Sequence, residues 1–379
     1  AVGYSSLATL NAAADAYNVA VGFKAGEVMT TGTQNTLIGG LTGDALTEGS
    51  FNVAIGNNSL SATTVGTRNV AVGQNTLLAN ILTDRNVAIG TAALEALVGD
   101  GSTANQTTYN TAVGYAAGNA MTTGVQNTLI GGLAGDALTT GSSNVAVGVL
   151  ALSSEDTGGK NIAIGFQSLA AQNYNGDAYN VAIGHQAGLA VTTGIQNTLI
   201  GGLAGDALTT GAKNVAIGVQ SLSTEDTGSR NVAIGYQALL QLNYNGEGYN
   251  VAVGSNAGEN VTTGINNTFI GGLAGDALTT GSNNVAIGKS ALSAEDTGSH
   301  NVAIGNEALQ DLNYNGSGYN TAVGSRAGAD ITTGIKNTLI GGGSGDALTE
   351  GHSNTAVGYE SLSASVDGDG NTAIGYLAL

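Results

Sequence analysis

Residues 127–143 read NTLIGGLAGDALTTGSS, and variants of this stretch recur along the chain. Each copy opens with Asn, then Val, Thr or Ile, then Ala, Leu or Phe, then Val or Ile, then Gly. The motif occurs 21 times between Asn18 and Asn371, and 16 of its 20 spacings equal 17. Such a short repeat, with a β-branched run and a glycine-containing turn in each copy, predicts one coil of a parallel β-solenoid per motif. We expect each coil to run strand, turn, strand, turn.

From Asn110 onward the spacings follow the order 17, 17, 17, 19, which defines a super-repeat whose first complete copy is 110–179. We call its four members the A, B, C and D coils, and we number positions from the motif Asn. An A coil starts at Asn110, a B coil at Asn127, a C coil at Asn144 and a D coil at Asn161. The repeat predicts a single continuous domain over residues 1–379. About 22 coils spaced ~4.8 Å apart would give a rod of roughly 100 Å.

Side-chain alternation along a strand assigns faces to the motif. We expect positions 2 and 4 to point into the coil, and positions 1, 3 and 5 to point outward, leaving a flat Ala/Gly face for another chain. Stacked Asn side chains at position 1 predict a hydrogen-bonded amide ladder. The ladder residues of the best-defined repeats are Asn110, Asn127, Asn144, Asn161, Asn180, Asn197, Asn214 and Asn231.

Position 3 of the B coils carries a large side chain where the other coils have Ala. On an outward Ala/Gly face, these residues would be apolar contacts that fix one chain against its partners. They are Leu129, Leu199, Phe269 and Leu339. The residue types at positions 9 and 12 compensate each other in volume. Where position 9 is Gly, position 12 is large and apolar, as at Gly118 and Met121. Where position 9 is Leu, position 12 is polar, as at Leu152 and Glu155. That pattern is typical of a packed interior at constant volume.

The extra residues of the D coils fall at NYNG, a strong tight-turn signal. We expect these loops to protrude once per super-repeat, as does the longer insertion at 97–109. Their tyrosines could contact a host glycan or receptor, or could simply pack against their own turn. These residues are Tyr174, Tyr244 and Tyr314.

Composition excludes several classes of function. The net charge is −18 with only 9 Lys+Arg, so nucleic-acid binding is not expected. The chain has no Cys, which removes disulfides and cysteine-based metal sites. No apolar run approaches the ~18–20 residues of a transmembrane helix, so membrane insertion of this segment is not expected. We expect no cofactor.

Other site types fit the repeat less well. The B-coil glycines lack the GK[ST] of a phosphate loop. GGLAGDAL approximates a calcium-binding nonapeptide, but turn formation by Asp136 is the simpler interpretation. EDTG at 155–158 is interpreted as a solvated turn. Thr ladders for ice binding are interrupted in the C and D coils. The histidines His185, His300 and His352 occupy unrelated positions and form no catalytic constellation.

The repeats NVAIGYQALLQLNYNG at 231–246 and NTAVGYESL at 354–362 resemble the NTAxGxxAL arrays of phage tail-fibre-like proteins. They are also similar to the NSVAIG repeats in the heads of trimeric autotransporter adhesins. The resemblance covers essentially the whole chain. It implies a left-handed β-roll that assembles as a homotrimer on a virion or cell surface, with a structural function and no enzymatic activity.

Within that resemblance, the expected function is the shaft of a virion tail fibre that presents a distal binding tip. A bacterial adhesin stalk or head, and a glycan-binding module built on the NYNG loops, are the alternatives. Because neither end carries a recognisable cap, the sequence is interpreted as an excerpt of a longer fibre protein.

Overall fold

The computed structural model describes residues 1–12, 15–101 and 106–379. These residues form an all-β parallel solenoid of about 21 turns, and no helix occurs among them. Most coils have the expected length, since equivalent residues such as Asn127 and Asn144 stand 17 positions apart. The predicted all-β parallel solenoid, with one coil of about 17 residues per motif, is therefore confirmed. Residues 102–105 of the long insertion lie outside the described residues.

The chain divides into two compact units, Ala1–Thr193 and Gly194–Leu379. The strands of the first unit are β1 (Val19–Val21), β2 (Thr36–Ile38), β3 (Val53–Ile55), β4 (Val70–Val72), β5 (Thr83–Asp84), β6 (Val87–Ile89), β7 (Gln106–Thr107), β8 (Thr111–Val113), β9 (Thr128–Ile130), β10 (Val145–Val147), β11 (Ile162–Ile164) and β12 (Val181–Ile183). The strands of the second unit are β13 (Thr198–Ile200), β14 (Val215–Ile217), β15 (Val232–Ile234), β16 (Val251–Val253), β17 (Thr268–Ile270), β18 (Val285–Ile287), β19 (Val302–Ile304), β20 (Thr321–Val323), β21 (Thr338–Ile340), β22 (Thr355–Val357) and β23 (Thr372–Ile374).

Within each unit, every motif strand pairs in parallel with the motif strand of the next coil. In the first unit the order runs from β1 through β2, β3, β4, β6, β8, β9, β10 and β11 to β12. In the second unit it runs from β13 to β23 without interruption. The register matches equivalent positions, as Val145 pairs with Ile162. Identical residue types therefore stack in columns.

A coil contains one regular strand of three residues, as in Val145–Val147, whereas the sequence suggested two strands. The rest of the coil is a series of tight turns, and backbone hydrogen bonds between coils hold them together. Gly118 N donates to Ala134 O at 3.0 Å. Among the described residues, additional strand pairing is confined to the β5–β7 pair and a few isolated bridges, such as Gly159 with Asp177. Residues in the left-handed region interrupt the regular strand geometry, for example Leu133 at φ 57°.

The assignment of faces to the motif was wrong, because position 3 points inward and positions 2 and 4 point outward. Ala146 is fully buried, while its neighbours Val145 and Val147 are half-buried. The motif asparagines from Asn35 to Asn354 are buried as well. The interior of the coil is too narrow for two β-branched side chains per strand, so it receives the small residue and the amide. The Val and Ile side chains stack on the outer surface of the sheet instead.

The corrected faces also overturn the expectation for the four large side chains at position 3 of the B coils. Leu129, Leu199, Phe269 and Leu339 are all fully buried inside their own coils, so they are unavailable to a partner chain. A Cβ atom on Gly118 would lie 2.7 Å from Leu129 Cδ1, and one on Gly135 would lie 2.8 Å from Leu129 Cδ2. Leu129 therefore occupies space left by two glycines at position 9. The volume compensation seen at positions 9 and 12 extends to position 3.

Candidate functional site

The asparagine ladder runs inside the coils and links them in two directions. The Oδ1 atom of Asn127 accepts the backbone N–H of Asn144 at 2.9 Å, which joins successive coils. The Nδ2 atom of Asn144 donates to the Gly158 carbonyl at 2.9 Å, which closes its own coil. The position 15 glycine is thereby fixed at the start of the strand. Because both bonds are buried, each Asn is a structural element and offers nothing to a ligand.

The coil-closing bond recurs at the ladder residues Asn110, Asn127, Asn144, Asn197 and Asn214. The ladder residues that start D coils differ, since Asn161 Nδ2 is buried without a hydrogen-bond partner among the described residues and Asn231 Nδ2 donates to the Ser229 carbonyl at 3.3 Å. Asn110, Asn127, Asn144, Asn161, Asn180, Asn197, Asn214 and Asn231 are all at most 1% exposed. Asn180 starts the coil after the D coil of Asn161, and its Nδ2 atom donates back to Gln172 Oε1 of that D coil at 2.8 Å.

The NYNG loops hold their tyrosines half-buried. Tyr174 packs over its own glycine, since a Cβ atom on Gly176 would lie 3.2 Å from Tyr174 Cε1. The Asn173 N–H donates to the Thr192 carbonyl at 2.9 Å, which ties the loop to the next coil. Tyr244 and Tyr314 are likewise half-buried and cover Gly246 and Gly316. These contacts hold the loops against the surface of their coils.

A buried glutamate in each C coil anchors the loop of the following D coil. Glu155 Oε1 accepts the Gly158 N–H at 2.7 Å, and Glu155 Oε2 accepts the Tyr174 N–H at 3.2 Å. Glu225 and Glu295 make equivalent bonds. Burial raises the pKa of all three carboxyls, although the backbone N–H donors oppose this. The interpretation of EDTG as a fully solvated turn was therefore wrong for the glutamate.

The residue immediately before each motif Asn forms a column that sequence reasoning missed. Six of the nine basic residues occupy it, and several lie against an aromatic ring one coil further on. Lys160 Nζ lies 5.1 Å from the Tyr179 ring centroid, and it pairs with Asp177 at 2.7 Å. His300 stacks on Tyr319 with centroids 5.0 Å apart. The signal was present in the sequence, because a cation or histidine ends each complete C coil and Tyr ends the D coil that follows.

The outer surface of the motif strands is an apolar feature that recurs at every coil of each unit. Ile130, Ile270 and Ile340 are 39%, 40% and 41% exposed, and the Val or Thr side chains at position 2 lie beside them. Neighbouring strands are about 4.8 Å apart, so these side chains form a contiguous strip along each unit. Soluble monomers rarely expose large contiguous apolar patches. We call this surface the strand strip.

The described residues offer little for catalysis or metal binding. They contain no group of three or more His, Cys, Asp or Glu side chains that could hold a metal ion. His185 stacks on Phe166, whereas His352 accepts the Ile335 N–H through Nδ1, so the histidines serve separate coils. In the B coils, burial raises the pKa of Asp136 and its equivalents Asp206 and Asp276. No helix in the described part of the chain could span a membrane.

No protein-family model, no curated protein and no solved structure matches this chain.

Proposed function

We propose that this chain is the structural shaft of a virion tail fibre, a homotrimer that holds a distal binding tip away from the particle. The proposal gives it no enzymatic activity and places it on a virion or, in the alternative of a bacterial adhesin, on a cell surface. The strand strip is the observation that carries the proposal. The resemblance of the repeats to fibre and adhesin arrays supports the same assignment.

The periodicity of the strand strip favours a second copy of the same chain as its partner. Val and Ile side chains recur at every coil in register, so a complementary surface must repeat at the same spacing over many coils. Another copy of this solenoid has that spacing by construction. Homo-oligomers usually have closed symmetry, and a three-fold axis along the strips would bury one strip from each chain. The resemblance to trimeric repeat arrays is the reason for preferring three chains to two. The proposed interface is therefore formed by the Val and Ile residues, and not by the Ala and Gly residues expected from the sequence.

Light scattering tests the proposed assembly. We expect a particle of three times the 37.0 kDa chain mass that persists on dilution. Lysine on three adjacent strands of the strip should shift the particle towards monomer, because each substitution buries a charge in an apolar interface. The substitutions are Ile130→Lys, Val147→Lys and Ile164→Lys.

A matched control places the same three charges elsewhere on these coils, at exposed residues away from the strand strip. The control substitutions are Gln126→Lys, Thr140→Lys and Ser154→Lys. This variant should keep the mass of the unmodified protein. A monomeric unmodified protein, or equal dissociation of both variants, would refute assembly through the strand strip.

The NYNG loops are a second candidate contact surface, for a glycan. The observation that favours them is their repeated, pre-organised geometry, since Glu155, Glu225 and Glu295 each fix one loop. Pre-organisation lowers the entropic cost of binding. A glycan-binding module would use Tyr174, Tyr244 and Tyr314.

A further inference from the structure

The last B coil departs from the repeat at one position. The earlier complete super-repeats read GGLAGDAL, whereas residues 341–348 read GGGSGDAL. Gly343 thus replaces the leucine found at Leu133, Leu203 and Leu273. Leu273 is 40% exposed, so this position lies on the surface of the coil. A cavity of about 330 Å³ that is open to solvent lies at Gly343, where the leucine side chain is missing.

One wall of this cavity is aromatic. Tyr359 stacks on Tyr376 with centroids 5.8 Å apart and planes inclined by 13°. Its other side meets Gly342, where a Cβ atom would lie 3.6 Å from Tyr359 Cδ2. Ser325 precedes Gly342 at the same position of the coil before. Two coil spacings, roughly 9–10 Å, therefore separate Ser325 from Tyr359, with only a glycine between them. A flat ring fits in this slot and continues the stack of tyrosines.

The remaining walls of the cavity carry both hydrogen-bond donors and hydrogen-bond acceptors. A Cβ atom on Gly343 would lie 3.1 Å from Glu360 Cγ and 3.5 Å from Asp346 Oδ2, so both carboxylates border the slot. Arg326 lines the opposite side. Arg326 makes no ion pair within the described part of the chain, although its charge acts on Asp346. The guanidinium donors and the carboxylate oxygens therefore border the slot together, and Glu360 also interacts with the Tyr359 hydroxyl.

These groups define the chemistry of a ligand. The two carboxylates disfavour an anion, and the guanidinium disfavours a simple cation. A neutral ligand with a flat apolar face and several hydroxyls satisfies all the walls, because hydroxyls donate to carboxylates and accept from arginine. The volume lies at the lower end of ligand pockets, about 300–1,000 Å³, which suits a single ring.

We propose that the slot at Gly343 binds one neutral sugar ring of a glycan, with the ring on Tyr359 and its hydroxyls shared between Arg326, Asp346 and Glu360. This site differs from the NYNG loops in sequence, in position and in occurring once. It does not depend on the proposed shaft function.

Saturation-transfer NMR on the full chain tests the site with glucose, galactose, mannose and N-acetylglucosamine as separate probes. We expect at least one sugar to give a signal that Gly343→Leu reduces at least tenfold. That substitution restores the residue of the other B coils, where Leu133 and Leu273 adopt φ 57° and Gly343 has φ 62°. The fold should therefore tolerate it. Asp346→Asn, a second variant of similar size, should also weaken binding.

Tyr115→Ala is the matched control and should keep the signal, because Tyr115 is an exposed tyrosine at the same coil position as Tyr359 but in a coil without the slot. Circular dichroism of each variant checks that the fold is retained. The proposal is overturned if no probe gives a signal, if Gly343→Leu binds as the unmodified chain does, or if Tyr115→Ala weakens binding as much as Gly343→Leu does.

Discussion

At the scale of single residues, the interior of the coil is decided by available space rather than by hydrophobicity. Alternation in the motif predicts two faces but does not say which is inside, and the larger Val and Ile side chains suggested the wrong one. The decisive clue was already in the sequence. Leu or Phe replaces Ala at position 3 only in coils where Gly135 or an equivalent glycine stands at position 9. Covariation of this kind within one chain indicates a shared interior.

A double-mutant cycle between Leu129 and Gly135 tests this interior. Leu129→Ala should destabilise by about 2–5 kcal/mol, because it leaves a cavity. Gly135→Ala should cost about 1–3 kcal/mol, because its Cβ atom would lie 2.8 Å from both Leu129 Cδ2 and Leu138 Cδ1. The double variant should be more stable than the sum of the two losses implies, by about 0.5–3 kcal/mol. Denaturant unfolding measures all four proteins, and strictly additive losses would contradict the shared space.

At the scale of the element, the D-coil loop combines a predictable turn with an anchor that was not predicted. Asn-Gly at 175–176 places the turn correctly. Glu155 was assigned to solvent because acidic residues usually are exposed. Yet position 12 is apolar and buried in the A and B coils, as at Met121 and Leu138. If position 12 were expected to be buried in every coil, Glu155 would be predicted to lie inside its coil.

Replacement of Glu225 by leucine tests the anchor through its pH dependence. At pH 7, Glu225→Leu should lower stability, because the Gly228 and Tyr244 N–H groups each lose an acceptor at about 1–3 kcal/mol. Burial raises the pKa of the native carboxyl, so the folded chain binds the proton more tightly than the unfolded chain does. The unmodified protein therefore gains stability as pH falls towards the ordinary carboxyl value of 4.5, and the leucine variant lacks that gain.

The deficit of Glu225→Leu should accordingly widen between pH 7 and pH 5 in thermal melts. Thr224→Leu, at the exposed neighbouring residue, is the control and should show no such change. A deficit that stays constant or narrows on acidification would show that the carboxyl pKa is not raised in the folded state.

At the scale of the whole molecule, the regular spacing of the motif predicted the solenoid, its parallel register and the stacking of equivalent residues. It did not predict that each coil has only one regular strand, because a sequence pattern does not show the hydrogen bonds between the turns of neighbouring coils. The slot at Gly343 was also missed, since it depends on residues from three coils. A single departure from a strict repeat was the available signal.

Deletions within the second unit test whether the super-repeat or the coil is the unit of packing. Removal of residues 214–283 deletes one complete super-repeat and joins a B coil to a C coil as before. Removal of residues 267–283 deletes a single B coil and with it Phe269. The Phe269 ring fills the space beside Gly258, where an added Cβ atom would lie 2.8 Å from Phe269 Cδ2. We expect the larger deletion to melt close to the unmodified protein and the smaller one to melt lower. The reverse order would contradict core complementarity between coil types.

The asparagine ladder has a consequence for how opening of the molecule can be observed. The backbone N–H of each motif Asn, as in Asn144, is buried and bonded to the side chain of the preceding coil. Such an amide exchanges its hydrogen with solvent only when those two coils separate. The chain therefore carries one natural isotope-exchange reporter per coil, all of the same residue type and geometry. Their relative rates would map, coil by coil, where separation starts and how far it spreads.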